Sequence, residues 1–341
     1  MKAIVLRKHG NVENLQIREI AEPQPGSGEV RVKLQAIGLN YAEIQSRKGL
    51  YGWAPKLPYV LGMEGFGQID AIGEDVENHS VGDHVITVAQ FGAYAEKIVV
   101  PKTQALPAIT YYSVTENVAF AVQYMTAWVG LFEVCRLKPT DTVLIQAAAG
   151  GVGTAAVQLA KAFGCRVFGT VGSDHKKTVV ENLGIDGVIN YRKQDFAAEM
   201  RRLNSGNGVD VVLEVVGGEV FRKSLALLNP FGRLVVIGFA SLNLKKWNPV
   251  SIYRTLRAIP RVNISKMAER SYAVGASHLG YLLKNPKLMQ QVWTDLTDFV
   301  RKHNIRPVVG HSFKFDQMTA AHKLMESRQS TGKIVVEIDN E

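Results

Sequence analysis

The stretch Thr142-Val143-Leu144-Ile145-Gln146-Ala147-Ala148-Ala149-Gly150-Gly151-Val152-Gly153, continued through Thr154 to Arg166-Val167-Phe168-Gly169-Thr170-Val171-Gly172-Ser173, decides the fold. An apolar run enters a Gly-rich turn, a segment of helical periodicity follows, and a second apolar run closes it: strand, turn, helix, strand. The turn fits the dinucleotide pattern G-x-G-x-x-G/A as Gly151-Val152-Gly153-Thr154-Ala155-Ala156. Gly151 permits the tight turn, Gly153 lets backbone approach a pyrophosphate, and Ala156 lets helix pack closely on sheet. The free N–H groups of the helix N-terminus then face the phosphates. The competing reading is a structural turn; the strand before it and the helix and strand after it favour a cofactor.

The end of the second strand bears on which cofactor. NAD sites place Asp or Glu there to accept from the ribose hydroxyls. This chain has Gly172-Ser173-Asp174-His175-Lys176-Lys177, with Tyr191-Arg192 after the next strand. A small Ser173 with nearby cations points to NADP(H). Asp174 is read as a helix cap, with an NAD-selecting acid as the alternative. For Lys176 and Lys177 the alternative is a solvated helix face.

The 341 residues, 46% hydrophobic and 21% charged, suffice for two domains with a sizeable core. No apolar run is long enough to span a membrane, and Met1-Lys2-Ala3-Ile4-Val5-Leu6-Arg7 reads as a short strand rather than a signal peptide, so the expected location is the cytoplasm. Cys135 and Cys165 lack both disulfide-framework numbers and metal-ligand spacing, and read as reduced core residues. The net charge of +9 is scattered in short runs such as Lys245-Lys246, which argues against a nucleic-acid surface as the first reading.

Residues 1–122 carry short strands separated by Gly and Pro, among them the alternating Glu29-Val30-Arg31-Val32-Lys33-Leu34-Gln35-Ala36-Ile37, and predict a compact, mostly antiparallel β domain. Residues 123–265 alternate strands near Val143, Val167, Val188, Val209 to Leu213, Leu234 to Ile237 and Val262 to Ile264 with helices starting near Thr154, Asp174, Gln194 and Glu219. That pattern predicts a doubly wound parallel sheet, with Gly217-Gly218 and Gly238 past strand C-termini where ligands bind. From 266 to 341, helices over Ala273 to Leu283 and Leu288 to His303 precede a last strand, Lys333 to Ile338. That strand lacks a partner of its own type nearby, so the C-terminal segment is expected to return to the first domain.

The motif order Gly38-Leu39-Asn40-Tyr41, Gly62-Met63-Glu64-Gly65-Phe66-Gly67, Val81-Gly82-Asp83-His84-Val85, the fingerprint turn and Gly187-Val188-Ile189-Asn190-Tyr191 resembles the zinc-independent, quinone oxidoreductase-like branch of the medium-chain dehydrogenase/reductase superfamily. Within it, His278-Leu279-Gly280-Tyr281-Leu282 is similar to the vesicle amine transport protein subgroup. The resemblance covers essentially the whole chain. It implies a Rossmann domain inserted into a GroES-like β-rich catalytic domain, a cleft for NADPH and substrate, and a homodimer. Zinc-dependent relatives hold their metal through a Cys near the position of Asn40 and through Gly-His-Glu. Here Asn40 and Met63 replace two of those ligands, and the four-Cys zinc lobe expected after Asp83 is missing, so no metal is expected.

The resemblance further implies Asn40 at the nicotinamide end, Thr126 near the nicotinamide ribose, Gly150, Gly151, Val152 and Gly153 at the pyrophosphate, and Ser173, Lys176 and Tyr191 at the 2′-phosphate side, with Gly238, Phe239 and Arg328 as further cofactor contacts. Asn40 taken alone reads as a turn residue. Tyr51 is a candidate proton donor, against a buried structural tyrosine or water, while Tyr41, Trp53 and Tyr59 are candidate pocket residues. The expected activity is hydride transfer from NADPH to a quinone or an α,β-unsaturated carbonyl compound. Two alternatives stand beside it: an NADPH-binding adaptor or membrane- or nucleic-acid-associated protein with little turnover, and an enoyl-thioester reductase.

Overall fold

A computed structural model describes residues 1–238, 259 and 261–339. The chain divides into two compact units, one made of residues 1–123 with 280–341, the other of residues 124–279.

In the second unit the parallel sheet runs, edge to edge, Gly187–Asn190, Arg166–Val171, Thr142–Ile145, Val209–Glu214, Leu228–Val236 and Ala273–Ala276. Numbered in chain order that is 3-2-1-4-5-6, the order of a doubly wound dinucleotide-binding sheet. The two strands of the opening stretch are neighbours, with Val143 beside Val167 and Ile145 beside Gly169. Both faces are covered, so the strands read as continuous apolar runs: Val143, Leu144, Ile145, Val211, Val212 and Leu213 are fully buried.

Two elements depart from the expectation. Val262 to Ile264 is not a strand. Asn263 caps the helix Ile264–Arg270 through Oδ1, which accepts from the Lys266 N–H at 3.2 Å, and Val262 and Ile264 are exposed. The sixth strand is Ala273–Ala276, placed where a helix was expected, followed by a 3-10 turn over Leu279–Lys284. Its Gly275 lies so close to Val134 that a Cβ would collide with that side chain. Tertiary pairing, rather than β-propensity, makes this small-residue segment a strand. The return to the first unit therefore comes at Gly280 rather than at residue 266.

The first unit is built on a sheet in the order Val309–Lys314, Lys333–Glu337, Glu29–Gly38, Glu64–Ile72, His84–Val88 and Ala105–Pro107, with Lys97–Pro101 also paired to Glu29–Gly38. A smaller sheet joins Gln16–Glu19, Lys2–Leu6 and Tyr59–Val60. The alternation in Glu29–Gly38 buries Val30, Val32 and Leu34 in one core, and the register shift between Leu34 and Ala36 brings Ile37 into it. The last strand of the chain pairs antiparallel with it, Val335 opposite Gly38 and Val336 opposite Ile37. Ile334 and Val336 thereby join the same core as Val32, Leu34 and Ile37.

Candidate functional site

In the second unit the helix Gly151–Phe163 begins at Gly150, which has extended backbone (φ −77°, ψ 173°) and no side chain to cap the first-turn N–H groups. Val152 and Gly153 lie in that first turn. The turn folds back on itself, Gly150 N donating to Ala147 O at 3.0 Å, and Ala147 takes a left-handed φ of +54°. A Cβ on Gly153 would lie 2.7 Å from the carbonyl carbon and oxygen of Ala148, and closer still to Ala147 O. The turn therefore leaves no room for a side chain at Gly153, as close backbone approach to a phosphate requires.

A buried polar chain that the motif gave no hint of holds this turn from below. Ala147 N donates to Thr170 Oγ1 at 3.2 Å, and Thr170 Oγ1 donates to Gln146 Oε1 at 2.6 Å. Gln146 Nε2 donates to Ser224 Oγ at 3.1 Å, which donates to Glu214 Oε2 at 3.3 Å. The other oxygen of Glu214 accepts from the N–H groups of Val216 and Gly217. Every buried group has a partner, so the positively twisted Ala147 and the Gly217 turn share one support. Burial raises the Glu214 carboxyl above its ordinary range, against the pull of the Gly217 and Val216 N–H groups.

At the end of strand Arg166–Val171, Ser173 sits at the N-cap of helix Asp174–Glu181 and Lys176 in its first turns. A Cβ on Gly172 would fall 2.6 Å from Tyr191 Oη, so the Tyr191 hydroxyl lies against this strand end. Lys176 is half-buried, and both burial and the neighbouring Arg192 guanidinium lower its ammonium pKa. Ser173, Lys176, Tyr191 and Arg192 are thus gathered at one place. Tyr191 remains 46% exposed. The Gly150 to Gly153 turn follows the adjacent parallel strand, and Ala148 N donates to Thr170 O.

Asp174 is not a helix cap: its carboxylate accepts from Asn190 Nδ2 at 2.9 Å and from Lys193 Nζ at 2.5 Å, while Ser173 occupies the cap position. An exposed acid already tied to Lys193 is a poor receptor for ribose hydroxyls. Gly238 lies just beyond strand Leu228–Val236, and Thr126 is half-exposed on helix Ala121–Trp128. Phe239 lies outside the described residues. Arg328 belongs to the first unit, exposed and left-handed (φ +57°) after helix Met318–Glu326.

The first unit holds Asn40 and Tyr51 together with a buried ionic cluster that the sequence did not announce. Asn40 ends the run from strand Glu29–Gly38 and caps helix Tyr41–Arg47, its N–H donating to Glu43 Oε2 at 2.7 Å. Asn40 Nδ2 donates to Glu64 Oε1 at 2.9 Å, Lys333 Nζ donates to Asn40 Oδ1 at 3.0 Å, and Lys333 also pairs with Glu64. Lys333 and Glu64 are both 0% exposed.

Glu43 accepts further from Met63 N at 2.8 Å and Tyr94 Oη at 2.7 Å. Since Tyr94 spends its one proton on Glu43, its oxygen must accept from His322 Nε2 at 3.0 Å, which fixes the Nε2–H tautomer of His322. Burial raises the Glu43 carboxyl to about 7 against these donors and Lys333, and burial lowers His322 to about 3, helped by Arg47. Burial, with the Glu43 charge second, pushes the half-buried Tyr51 hydroxyl to about 12, so Tyr51 keeps its proton at neutral pH. Trp53 packs edge-on to Tyr281 with ring centroids 4.7 Å apart, and Tyr59 is buried in the first core. Cys135 and Cys165 are free and buried, and burial raises each thiol to about 12, so neither is a reactive thiolate. Among the described residues no group of His, Cys, Asp or Glu side chains is arranged to hold a metal ion, and no helix is long and apolar enough to cross a membrane.

Two family models match the chain: the alcohol dehydrogenase GroES-like domain over residues 26–110 and the zinc-binding dehydrogenase model over residues 151–272. The human synaptic vesicle membrane protein VAT-1 homolog is 34% identical over 98% of this chain and 86% of its own length. The solved Escherichia coli quinone oxidoreductase complexed with NADPH superposes with a TM-score of 0.87 at 28% identity, covering 99% of this chain and all of that one. The CurK enoyl reductase superposes with a TM-score of 0.84 at 29% identity, over 99% of both chains.

Proposed function

Because the chain belongs to the medium-chain dehydrogenase/reductase superfamily, in the quinone oxidoreductase-like branch that includes the VAT-1 homologues, we propose that it reduces quinones or α,β-unsaturated carbonyl compounds with NADPH and without a metal. The carrying observation is the uncapped, sterically closed turn Gly150 to Gly153, one strand away from the Ser173, Lys176, Tyr191 and Arg192 cluster. The turn offers backbone N–H groups to a pyrophosphate, and the cluster offers two cations and two hydroxyls to a 2′-phosphate.

NADPH, when bound, supplies the hydride. The residues bind and orient it: Gly150, Gly151, Val152 and Gly153 at the pyrophosphate, Ser173, Lys176 and Tyr191 at the 2′-phosphate, Thr126, Gly238 and Arg328 along its length, and Asn40 at the nicotinamide end. Tyr51, protonated at neutral pH, can supply the proton that the reduced acceptor needs. The metal-free reading is supported by Lys333: its ammonium contacts both Asn40 and Glu64, two of the three positions aligned with metal ligands in zinc-dependent relatives. A homodimer belongs to the same proposal, and sedimentation at micromolar concentration checks it.

Initial rates of NADPH oxidation with an ortho-quinone and with a short enone, NADH in parallel and an EDTA-treated sample as control, test the reading. The expected result is turnover that prefers NADPH and is indifferent to EDTA. The faster acceptor would choose between quinone and enone chemistry, and turnover confined to an enoyl thioester would favour the enoyl-thioester reductase alternative, to which the likeness to CurK enoyl reductase lends weight. Bound NADPH without turnover on any of these acceptors would favour the adaptor alternative.

Cofactor choice has its own test. Lys176→Ala should weaken NADPH about tenfold, roughly 1.4 kcal/mol, and NADH little, because only NADPH carries the 2′-phosphate. Equal losses for both cofactors, measured by fluorescence titration, would remove Lys176 from that subsite.

A further inference from the structure

Three strands of the first unit meet at Gly38. Glu64 lies opposite it on one side and Val335, two residues after Lys333, on the other. A Cβ on Gly38 would fall 2.6 Å from Lys333 Cε and 2.7 Å from Glu64 Oε1. The glycine thus leaves the volume in which the ion pair sits. A buried ammonium is costly unless its donors are met, and those of Lys333 meet Glu64 and Asn40 Oδ1. Glu64 also accepts from Asn40 Nδ2 on Oε1 and from Val122 N at 3.1 Å on Oε2.

Lys333, Glu64 and Asn40 therefore close a triangle, and the triangle has only one sense. Turning the Asn40 carboxamide over would set its NH2 against the ammonium and its oxygen against the carboxylate. One amide hydrogen is donated to Glu64 and the other to Glu43 Oε1, which lies 3.4 Å from Asn40 Nδ2. What half-exposed Asn40 has left to offer is the second lone pair of Oδ1.

We propose that Lys333 is a positioning residue, whose ammonium, anchored by Glu64, locks the Asn40 carboxamide so that Asn40 presents a hydrogen-bond acceptor to a ligand N–H or O–H donor. The inference rests on the reading of Asn40 as a cofactor-side residue. Its ligand chemistry is that of a primary carboxamide, such as the one on a nicotinamide ring. The lock itself is a property of the folded chain alone.

The test separates the two. In protein labelled with 15N-asparagine, the Asn40 side-chain NH2 signal is identified as the pair lost in Asn40→Ala. In the wild type it should exchange with solvent at least about tenfold more slowly than exposed asparagine amides, as both hydrogens have carboxylate acceptors. Exchange at the exposed rate overturns the proposal without recourse to any further variant. Lys333→Met alone leaves Glu64 buried and unpaired, so the informative variant is Lys333→Met with Glu64→Gln, which is neutral and nearly isosteric. There the Asn40 signal should lose its protection, and unchanged protection overturns the proposal.

Turnover supplies the second arm. Asn40→Ala should lower kcat/KM roughly tenfold in the wild type and by less than about twofold in the double variant, because the lock is already lost there. Independent, multiplying losses overturn the proposal. Absence of NADPH oxidation in the wild type would count against the reductase reading, and the exchange measurement would still decide on Lys333.

Discussion

Replacing Gly153 by valine should reduce NADPH affinity at least about a hundredfold, roughly 2.7 kcal/mol, while the circular dichroism of the chain stays that of a folded protein. The reason is steric and local. Even the Cβ would overlap backbone, the Ala148 carbonyl at 2.7 Å and the Ala147 carbonyl nearer still, and backbone cannot step aside as a flexible side chain can. The helix start would have to move away from Ala147, and the N–H groups of Val152 and Gly153 would lose the direction that makes them phosphate donors. Gly150→Ala is the matched control. Its added Cβ would meet Ala147 O at 3.4 Å with φ already at −77°, so the turn keeps its path there and any loss of affinity comes from crowding of the pyrophosphate rather than from a displaced helix start. Normal NADPH binding by Gly153→Val would move the pyrophosphate off this turn.

The second large effect concerns pH and the pair Glu43 and His322, joined through Tyr94. Glu43 has its folded pKa raised from 4.5 to about 7, so between those values the folded state holds a proton that the unfolded state has released. Its contribution therefore falls as pH rises from about 4.5 to 7. His322 has its folded pKa lowered from 6.5 to about 3, so over that range the unfolded state holds the extra proton. Its contribution rises with pH from about 3 to 6.5. From about 4.5 to 6.5 the two oppose each other, one proton against one proton.

The cancellation predicts what each variant uncovers. Glu43→Gln should gain stability, relative to wild type, as pH rises through that overlap, and His322→Phe should lose it, each with a slope of up to about 1.4 kcal/mol per pH unit. Urea midpoints measured at pH 4.5, 5.5 and 6.5 for the three proteins check the signs. The neighbouring charges, Arg47, Lys333 and Glu64, are common to all three. Curves that stay parallel would show that neither group titrates in this way.

The nucleotide unit was legible because its signals are local. The turn declares itself through steric need within six consecutive residues, and fully buried parallel strands leave apolar runs that need no partner to be noticed. The strand Ala273–Ala276 was missed for the opposite reason: small residues carry little β-propensity, and only its neighbour Leu228–Val236 makes it a strand. Asp174 looks like a cap in sequence because it is an acid at a helix start, whereas its partners Asn190 and Lys193 lie at the end of the next strand and just past it.

The ionic cluster was the least legible part. Lys333 and Asn40 are 293 positions apart, and Lys333 and Glu64 are 269 apart. Neither Glu64 in its Gly-rich motif nor Lys333 in its closing strand states that it is buried. The one usable hint was Gly38, a glycine at the end of a strand pattern, which marks a place where other atoms approach closely. The support beneath the fingerprint turn was hidden likewise, because Gln146, Thr170, Ser224 and Glu214 sit on different elements.

The pairing of Lys333–Glu337 with Glu29–Gly38 also sets an order of events during synthesis. Residues 124–279 form a contiguous unit and can complete their sheet while the ribosome is still making the last sixth or so of the chain. Residues 1–123 cannot finish theirs. Until the C-terminal segment emerges, Lys97–Pro101 covers only the Glu29 to Lys33 part of that side of strand Glu29–Gly38, Ala36 to Gly38 lack their neighbour and Glu64 has no counter-charge, so residues made early are among the last to reach their final surroundings. A nascent chain released before Lys333 would carry a finished nucleotide unit beside an open sheet edge, the kind of surface on which one chain pairs with another.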